Sequence, residues 1–266
     1  MGRFRTEKDH DYFKVVDDAI NSYTWAAVVK LQERKVVDEV LGPVGQGKEA
    51  KLVLAKRGGG YAVLKIFFPV AVRFVKSRRN YLLGDPRFRG MKVGDQLHLV
   101  ETWCRKEFGN LARAYAAGVQ VPRPFGFYRN VLAMEFIGSG TSPAPRLIDV
   151  GLENLDDVEQ VFLEVVKNLE KTYIVAGLVH GDFSPFNILH DGEKPWVIDW
   201  GSAVRRGHPK ELEYLRRDIE NIFRFFRNPV DPVEFFRRLV ERAGGRDVEI
   251  DREGWVVVGG KRILDN

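Results

Sequence analysis

The segment His180-Gly181-Asp182-Phe183-Ser184-Pro185-Phe186-Asn187, followed by Val197-Ile198-Asp199-Trp200-Gly201, constrains this chain more than any other part of it. An Asp and an Asn stand five positions apart, and a second Asp closes the next short strand. The order predicted around them is helix, loop, strand, Asp191-Gly192 turn, strand, Asp. Two polar turns flanking an ordinary hairpin would not require that order. The arrangement suits phosphoryl transfer to a hydroxyl. Asp182 would accept or orient the attacking hydroxyl's proton, while Asn187 and Asp199 are hard oxygen ligands for Mg²⁺ or Mn²⁺ held against nucleotide phosphates. The metal offsets charge that would otherwise repel the nucleophile.

A second group of residues belongs to the same chemistry. Lys65 lies in the apolar strand Ala62-Val63-Leu64-Lys65-Ile66, where an unpartnered ammonium is costly. Its expected partner is a Glu on the following helix. Val100, Trp103/Cys104, Glu107, Leu111 and Ala114/Tyr115 recur at helical spacing, so Glu107 is a charge inside an apolar stripe. The bland alternative is a carboxylate snorkelling at the stripe's edge. Ahead of Lys65, Gly42-Pro43-Val44-Gly45-Gln46-Gly47-Lys48-Glu49-Ala50 joins two strands. Its glycines admit close backbone approach to phosphates and Lys48 adds positive charge. It lacks the GK[ST] ending of a P-loop, and a strand follows it instead of a helix.

Around these motifs the chain of 266 residues is long enough for two lobes. One or two amphipathic helices are expected within 10–34, then strands at 36–41, 50–56 and 61–67. A helix at 97–117 ends at Gly118, and strands follow at 125–128 and 131–136. Asp156 is the expected N-cap of a helix running to Gly177. Strands are expected at 187–190 and 196–199, helices at 210–227 and from Asp231-Pro232 to Gly244, and a last strand at 255–258. The organisation is thus a helical extension 1–35, a strand-rich lobe 36–137 and a helix-rich lobe 138–266. A basic insertion, 73–95, carries Arg73, Lys76, Arg78, Arg79, Arg87, Arg89 and Lys92 against Asp85 and Asp95.

Composition narrows the function classes. With 44% hydrophobic and 30% charged residues the chain reads as soluble and globular. No run of about 18 apolar residues suggests a transmembrane helix, and no apolar segment follows Met1 as in a secretory signal, so a cytoplasmic location is expected. Cys104 is the single cysteine, which fits packing rather than a disulfide or zinc. A net charge of +5 permits an anionic partner without demanding one.

Taken with Val63-Leu64-Lys65-Ile66, Lys106-Glu107, Met134-Glu135-Phe136-Ile137-Gly138 and Leu215 through Asn221, these motifs resemble a RIO kinase, an atypical serine kinase of small-ribosomal-subunit maturation. The resemblance runs from about residue 36 to 226. The 35 residues ahead of it are too short for the winged-helix domain of one RIO subfamily, so the chain is similar to the first subfamily. The resemblance implies an α+β, bilobal protein-kinase-like fold, with an antiparallel-sheet N-lobe carrying one main helix and a mainly helical C-lobe. It implies ATP and Mg²⁺ as cofactors and the pre-ribosomal small subunit as partner. Asp182 becomes the catalytic aspartate and Asn187 and Asp199 the metal ligands. Lys65 and Glu107 position the nucleotide, Gly45, Gly47 and Lys48 line the phosphates, and Glu135 and Ile137 offer hinge backbone groups to adenine. It also allows ATP hydrolysis through a phosphorylated Asp199.

Some ten residues separate Asp199 from the helix near Pro209, too few for the activation segment of ordinary protein kinases. Gly181-Asp182-Phe183-Ser184-Pro185 and Asp199-Trp200-Gly201 depart from the first subfamily's pattern toward aminoglycoside phosphotransferases. A small-molecule kinase is therefore an alternative, and a nucleotide-sensing scaffold without turnover is another. The basic insertion would gate the cleft or meet rRNA, with Ser77 as a candidate autophosphorylation site.

Overall fold

The structure is a computed structural model, and it describes residues 22–47, 49–68, 81, 85, 96–228, 230–244, 248–250, 256–258 and 261–262. Among the described residues no helix is long and apolar enough to cross a membrane.

Five antiparallel strands in the order β1-β2-β3-β5-β4 form the main sheet: β1 Glu39–Gln46, β2 Ala50–Arg57, β3 Gly60–Phe67, β4 Pro124–Tyr128 and β5 Val131–Glu135. Helix α1, Ser22–Glu33, covers one face because Thr24, Ala27, Val28 and Leu31 recur at helical spacing and are buried. Ala27, Val28 and Leu31 pack with Val53, Leu64 and Ile66 of the sheet. Helix α2, Gln96–Ala116, covers the other face, where Trp103 and Cys104 meet Phe67 and Leu132. It ends in Gly118 with φ +71°, the left-handed stop that its sequence predicts. The period-2 alternation of β3 decides the site. Ala62, Leu64 and Ile66 enter the core under α1, so Lys65 is left on the opposite side, toward α2.

The chain then makes a short hairpin, β6 Gly138–Ser139 with β7 Ser142–Pro143, and becomes helical. The helices are α3 Leu147–Val150, α4 Val158–Glu170 with a π turn over Lys171–Val175, α5 Glu211–Phe225 and α6 Pro232–Arg242. Between α4 and α5 lie β8 Leu178–Val179, β9 Ile188–His190, β10 Pro195–Val197 and β11 Val204–Arg205. Strands β9 and β10 pair as a hairpin, and β8 pairs with β11. One continuous core joins Val165, Leu169 and Tyr173 to Trp200, Leu215, Ile219 and Phe236. Three tail strands, β12 Val248–Ile250, β13 Val256–Val258 and β14 Lys261–Arg262, form a separate sheet where the sequence suggested one strand.

Several boundaries differ from the sequence reading. Strand β1 runs on through Pro43 to Gln46 instead of ending at 41; it is an edge strand with register shifts on both sides of that proline, and an edge tolerates a missing N–H. The N-cap of α4 is Asp157, not Asp156: the Asp157 carboxylate accepts from the Gln160 amide at 2.9 Å. Asn187 lies in the 3₁₀ turn Pro185–Asn187 instead of opening a strand, and β10 stops at Val197, two residues before Asp199.

Candidate active site

The Lys65 ammonium bridges two carboxylates, with Nζ 2.7 Å from Glu107 Oε1 and 2.9 Å from Asp199 Oδ1. The Glu107 side chain is only 2% exposed, which removes the snorkelling alternative. Asp199, 42% exposed, keeps access to the cleft. Burial works against the Lys65 cation, but Asp199 and Glu107 more than offset it and hold its pKa above the usual lysine value. Lys65 therefore remains charged at neutral pH.

Asp199 is brought to this point by backbone geometry. Its φ is +62°, a conformation uncommon outside glycine and found where surrounding structure over-determines it. Helix α2 supplies that surrounding structure. The buried Lys106 ammonium donates to the carbonyls of Gly201 and Ala203 at 2.5 and 2.7 Å. Asn110 donates to those of Trp200 and Ala203 at 3.0 and 2.9 Å. Close approach is possible because residue 201 is glycine. A Cβ there would sit 2.8 Å from Trp103 Nε1 and 2.9 Å from Glu107 Oε2.

Asp182 and Asn187 meet across one tight loop. The Asn187 side-chain amide donates to the Asp182 backbone carbonyl and to its Oδ2, both at 2.9 Å. Below the loop, buried Asp218 of α5 accepts from the amides of Gly181 at 2.8 Å and Phe183 at 2.9 Å. Arg217 donates to the Gly181 carbonyl from the other side. His180 Nε2 donates to the Ile198 carbonyl at 3.0 Å, tying the loop to the strand end that precedes Asp199. Burial pushes the His180 pKa down to about 4, so this link is a neutral imidazole.

Lys65, Asn187 and Asp199 border a cleft of about 660 Å³ between sheet and helices. Gly45 and Gly47 line it from above, Val63 and Met134 from the side, and Leu189 and Ile198 from below, with Lys65, Asn187 and Asp199 at one end. Glu135 and Ile137 line it at the connection between the lobes. The Glu135 amide is committed to the Arg123 carbonyl at 2.8 Å, and the Ile137 carbonyl accepts from the Ala144 amide at 2.9 Å. Asp182 is exposed and stands beside the cleft, joined to it through Asn187. Lys48 lies outside the described residues. So do Ser77 and the basic residues of 73–95; within that insertion Tyr81 and Asp85 are described.

The sequence reading assigned no role to Lys106, Asn110, Asp218 or Arg146, which also lines the cleft. A signal existed for Asp218. It occupies the buried stripe of α5 with Tyr214, Leu215, Ile219 and Ile222, a charge inside an apolar face like Glu107. Arg146 carries no such mark, because only the fold brings it to the cleft.

The RIO domain family matches residues 50–238. A relative in Haloferax volcanii, the RIO-type serine/threonine-protein kinase Rio1, is 42% identical over 221 residues, covering 83% of this chain and 74% of the relative. The chain belongs to the RIO family of serine/threonine-protein kinases. The human relative, serine/threonine-protein kinase RIO1, is 32% identical and covers 88% of this chain but only 43% of its own length. This RIO-family chain therefore spans three quarters of the archaeal relative and less than half of the human one. Among solved structures, the Rio2 kinase from Chaetomium thermophilum aligns with a TM-score of 0.64 at 25% identity, over 83% of this chain and 69% of that one. The Rio2 kinase–ADP/Mg²⁺–phosphoaspartate complex from the same fungus has the same fold, with a TM-score of 0.59 at 24% identity. The α+β, bilobal kinase-like architecture expected from sequence is the one observed.

Proposed function

We propose that this RIO-family kinase transfers the γ-phosphoryl group of ATP to a serine or threonine hydroxyl, with Asp182 as the base. The observation that carries the reading is the three-residue junction at Lys65. Residues 65, 107 and 199, far apart in sequence, meet within 2.9 Å, and Lys65 and Asp199 line a cleft sized for a nucleotide. Lys65 would neutralise phosphate charge while Glu107 holds its direction. Gly45 and Gly47 let the backbone approach the phosphates. The adenine edge would meet the Glu135 carbonyl and the Ile137 amide, since the Ile137 carbonyl is already used by Ala144.

The donor set also fits magnesium. Asn187 spends its amide nitrogen on Asp182, which leaves Oδ1 as a ligand oxygen beside the Asp199 carboxylate. Among the described residues no group of three or more His, Cys, Asp or Glu side chains could hold a metal, and two oxygen ligands suit an ion that completes its shell with water and phosphates. Bound there, the ion would shield the phosphate charge as the nucleophile approaches. Asp182 orients the acceptor O–H and takes its proton as the oxygen–phosphorus bond forms and the bridging β–γ bond breaks. Asn187 fixes the Asp182 carboxylate for that step.

Purified chain with labelled ATP and Mg²⁺ should release ADP and label itself, and Asp182→Asn should lower turnover by about 10² to 10⁴-fold, the usual range for a general base. Unchanged turnover in the variant would remove Asp182 from this role. Family membership further supports a cytoplasmic role in maturation of the small ribosomal subunit. Co-sedimentation of the kinase with small-subunit precursors in cell extracts tests that part independently.

A further inference from the structure

Tyr81, from the insertion 73–95, lies against the loop that leads into Asp182. Its ring meets that of Tyr214 on α5, with centroids 5.1 Å apart and planes tilted by 33°. Its hydroxyl stands 3.5 Å from the Gly181 carbonyl oxygen and 3.4 Å from Arg217 Nη2. A Cβ on residue 181 would sit 3.3 Å from Tyr81 Cε1 and 2.9 Å from the Ser202 carbonyl oxygen, so ring and carbonyl both close on the Gly181 backbone. Tyr81 is half-buried. It packs on the core of the helical half and also on the core between α2 and the sheet. One side chain of the insertion thus touches both halves of the molecule beside Gly181.

The neighbours of Tyr81 are groups that fix this loop. Arg217 donates to the Gly181 carbonyl, and its guanidinium lies over the Tyr214 ring, 5.1 Å from the centroid. Tyr214 and Arg217 stand three residues apart on α5, where side chains share a face, and Tyr81 touches both. From below, Asp218 accepts from the Gly181 and Phe183 amides. The backbone on either side of Asp182 is therefore bound, while the Asp182 side chain is exposed. Within this assembly the Tyr81 ring matters more than its hydroxyl. Hydrogen bonds of 3.4–3.5 Å lie at the weak end of the range, whereas a tilted aromatic pair at 5.1 Å is at a favourable separation.

We infer that Tyr81 is a positioning residue for phosphoryl transfer: its ring holds Tyr214, Arg217 and the Gly181 backbone together and so fixes the direction of the Asp182 carboxylate. The catalytic part of this inference rests on the reading of Asp182 as the base. Removing the ring opens space beside Arg217, whose guanidinium can then turn to solvent and release the Gly181 carbonyl. A misdirected base slows the chemical step and leaves nucleotide binding alone. Tyr81, Gly181, Tyr214 and Arg217 are not among the described residues that line the nucleotide cleft. A ring that served packing alone would change stability and leave the turnover of each folded molecule intact.

Steady-state ADP release separates these roles. Tyr81→Ala should lower kcat by about 10- to 100-fold with KM for ATP unchanged, the cost of a misplaced catalytic group. Tyr81→Phe keeps the ring and should retain most of the native kcat. Thermal unfolding shows whether each variant is folded at the assay temperature. If Tyr81→Ala is not, Tyr81→Leu keeps apolar bulk without the ring and is read in the same way. Amide hydrogen exchange supplies a readout that needs no turnover: residues 181–187 should exchange faster in the ring-less variant than in the native chain, with the β9–β10 hairpin unchanged. Native kcat in the folded ring-less variant, a phenylalanine variant as slow as that one, or unchanged exchange at 181–187 would overturn the inference. If the native chain does not turn over ATP, the kinase reading falls, and the exchange result alone decides whether Tyr81 holds the loop.

Discussion

Asp218 shows how much a single buried charge can govern. It sits under the loop at Gly181–Phe183 with both oxygens occupied by backbone amides, and burial pushes its pKa up to about 7 even though those bonds and Arg217 pull the other way. An unfolded aspartate titrates near 4, so between roughly pH 4 and 7 the native state holds the extra proton. Stability from this group is fully present below the unfolded pKa and is lost as pH rises through about 7. Asparagine at 218 does not titrate and can accept only one of the two amides. Asp218→Asn should therefore lose about 1–3 kcal/mol, and the native chain's advantage over it should shrink as pH rises from 4 to 7. Urea titrations of both proteins across that range measure the difference, and a pH-independent gap would contradict the assignment. Cys104 is the opposite case. Buried and with its thiol pKa pushed up, it packs under the sheet without any reactive role.

At the scale of elements, the decisive contact is that of α2 with the segment after Asp199. In a kinase-like fold these two parts must be in register for the lysine–glutamate pair and the metal aspartate to meet. Here Lys106 and Asn110 fasten them with four hydrogen bonds to three carbonyls, all buried. Gly201 is the position at which this joint can be opened with one methyl group. The Cβ of Gly201→Ala would press on a fully buried Trp103 and on Glu107, and neither can retreat into solvent. We expect a loss of about 1–3 kcal/mol of stability from overpacking. A larger relative loss is expected in kcat/KM for ATP, because Glu107 is displaced from Lys65. Thermal unfolding and steady-state ADP release read the two effects separately. An alanine variant with native kinetics would show that the joint does not position the site.

At the scale of the whole molecule, the cleft belongs to neither half alone. Lys65 and Glu107 come with the five-stranded sheet and α2, while Asn187 and Asp199 come with the helical half. A ligand spanning both should stabilise them as a unit. At a concentration a hundredfold above its Kd, ATP with Mg²⁺ should add about 2.7 kcal/mol and raise the melting temperature in one cooperative transition. Asp199→Asn should abolish the Mg²⁺-dependent part of that rise while leaving the variant folded. A melting temperature indifferent to ATP would sever the cleft from nucleotide.

The sequence by itself determined the elements and the main chemical positions. Lys65 stood out as an ammonium inside an apolar strand, helical spacing put Glu107 in a buried stripe, and glycine marked the helix stop at 118. The Asp–Asn spacing with a trailing Asp was legible because local turns dictate it. Boundaries were less legible where a neighbour decided them, as at Pro43, tolerated on a sheet edge, and at Asp157, which outcompeted Asp156 for the cap. What only the tertiary structure decided are contacts between residues distant along the chain: Lys106 and Asn110 on the carbonyls of 200–203, Asp218 under Gly181 and Phe183, Arg146 at the cleft, and Tyr81 against Gly181. Their physical reason is common to all. A backbone carbonyl or amide has no side-chain signature, so its partner cannot be read from residue types until the fold brings the two together.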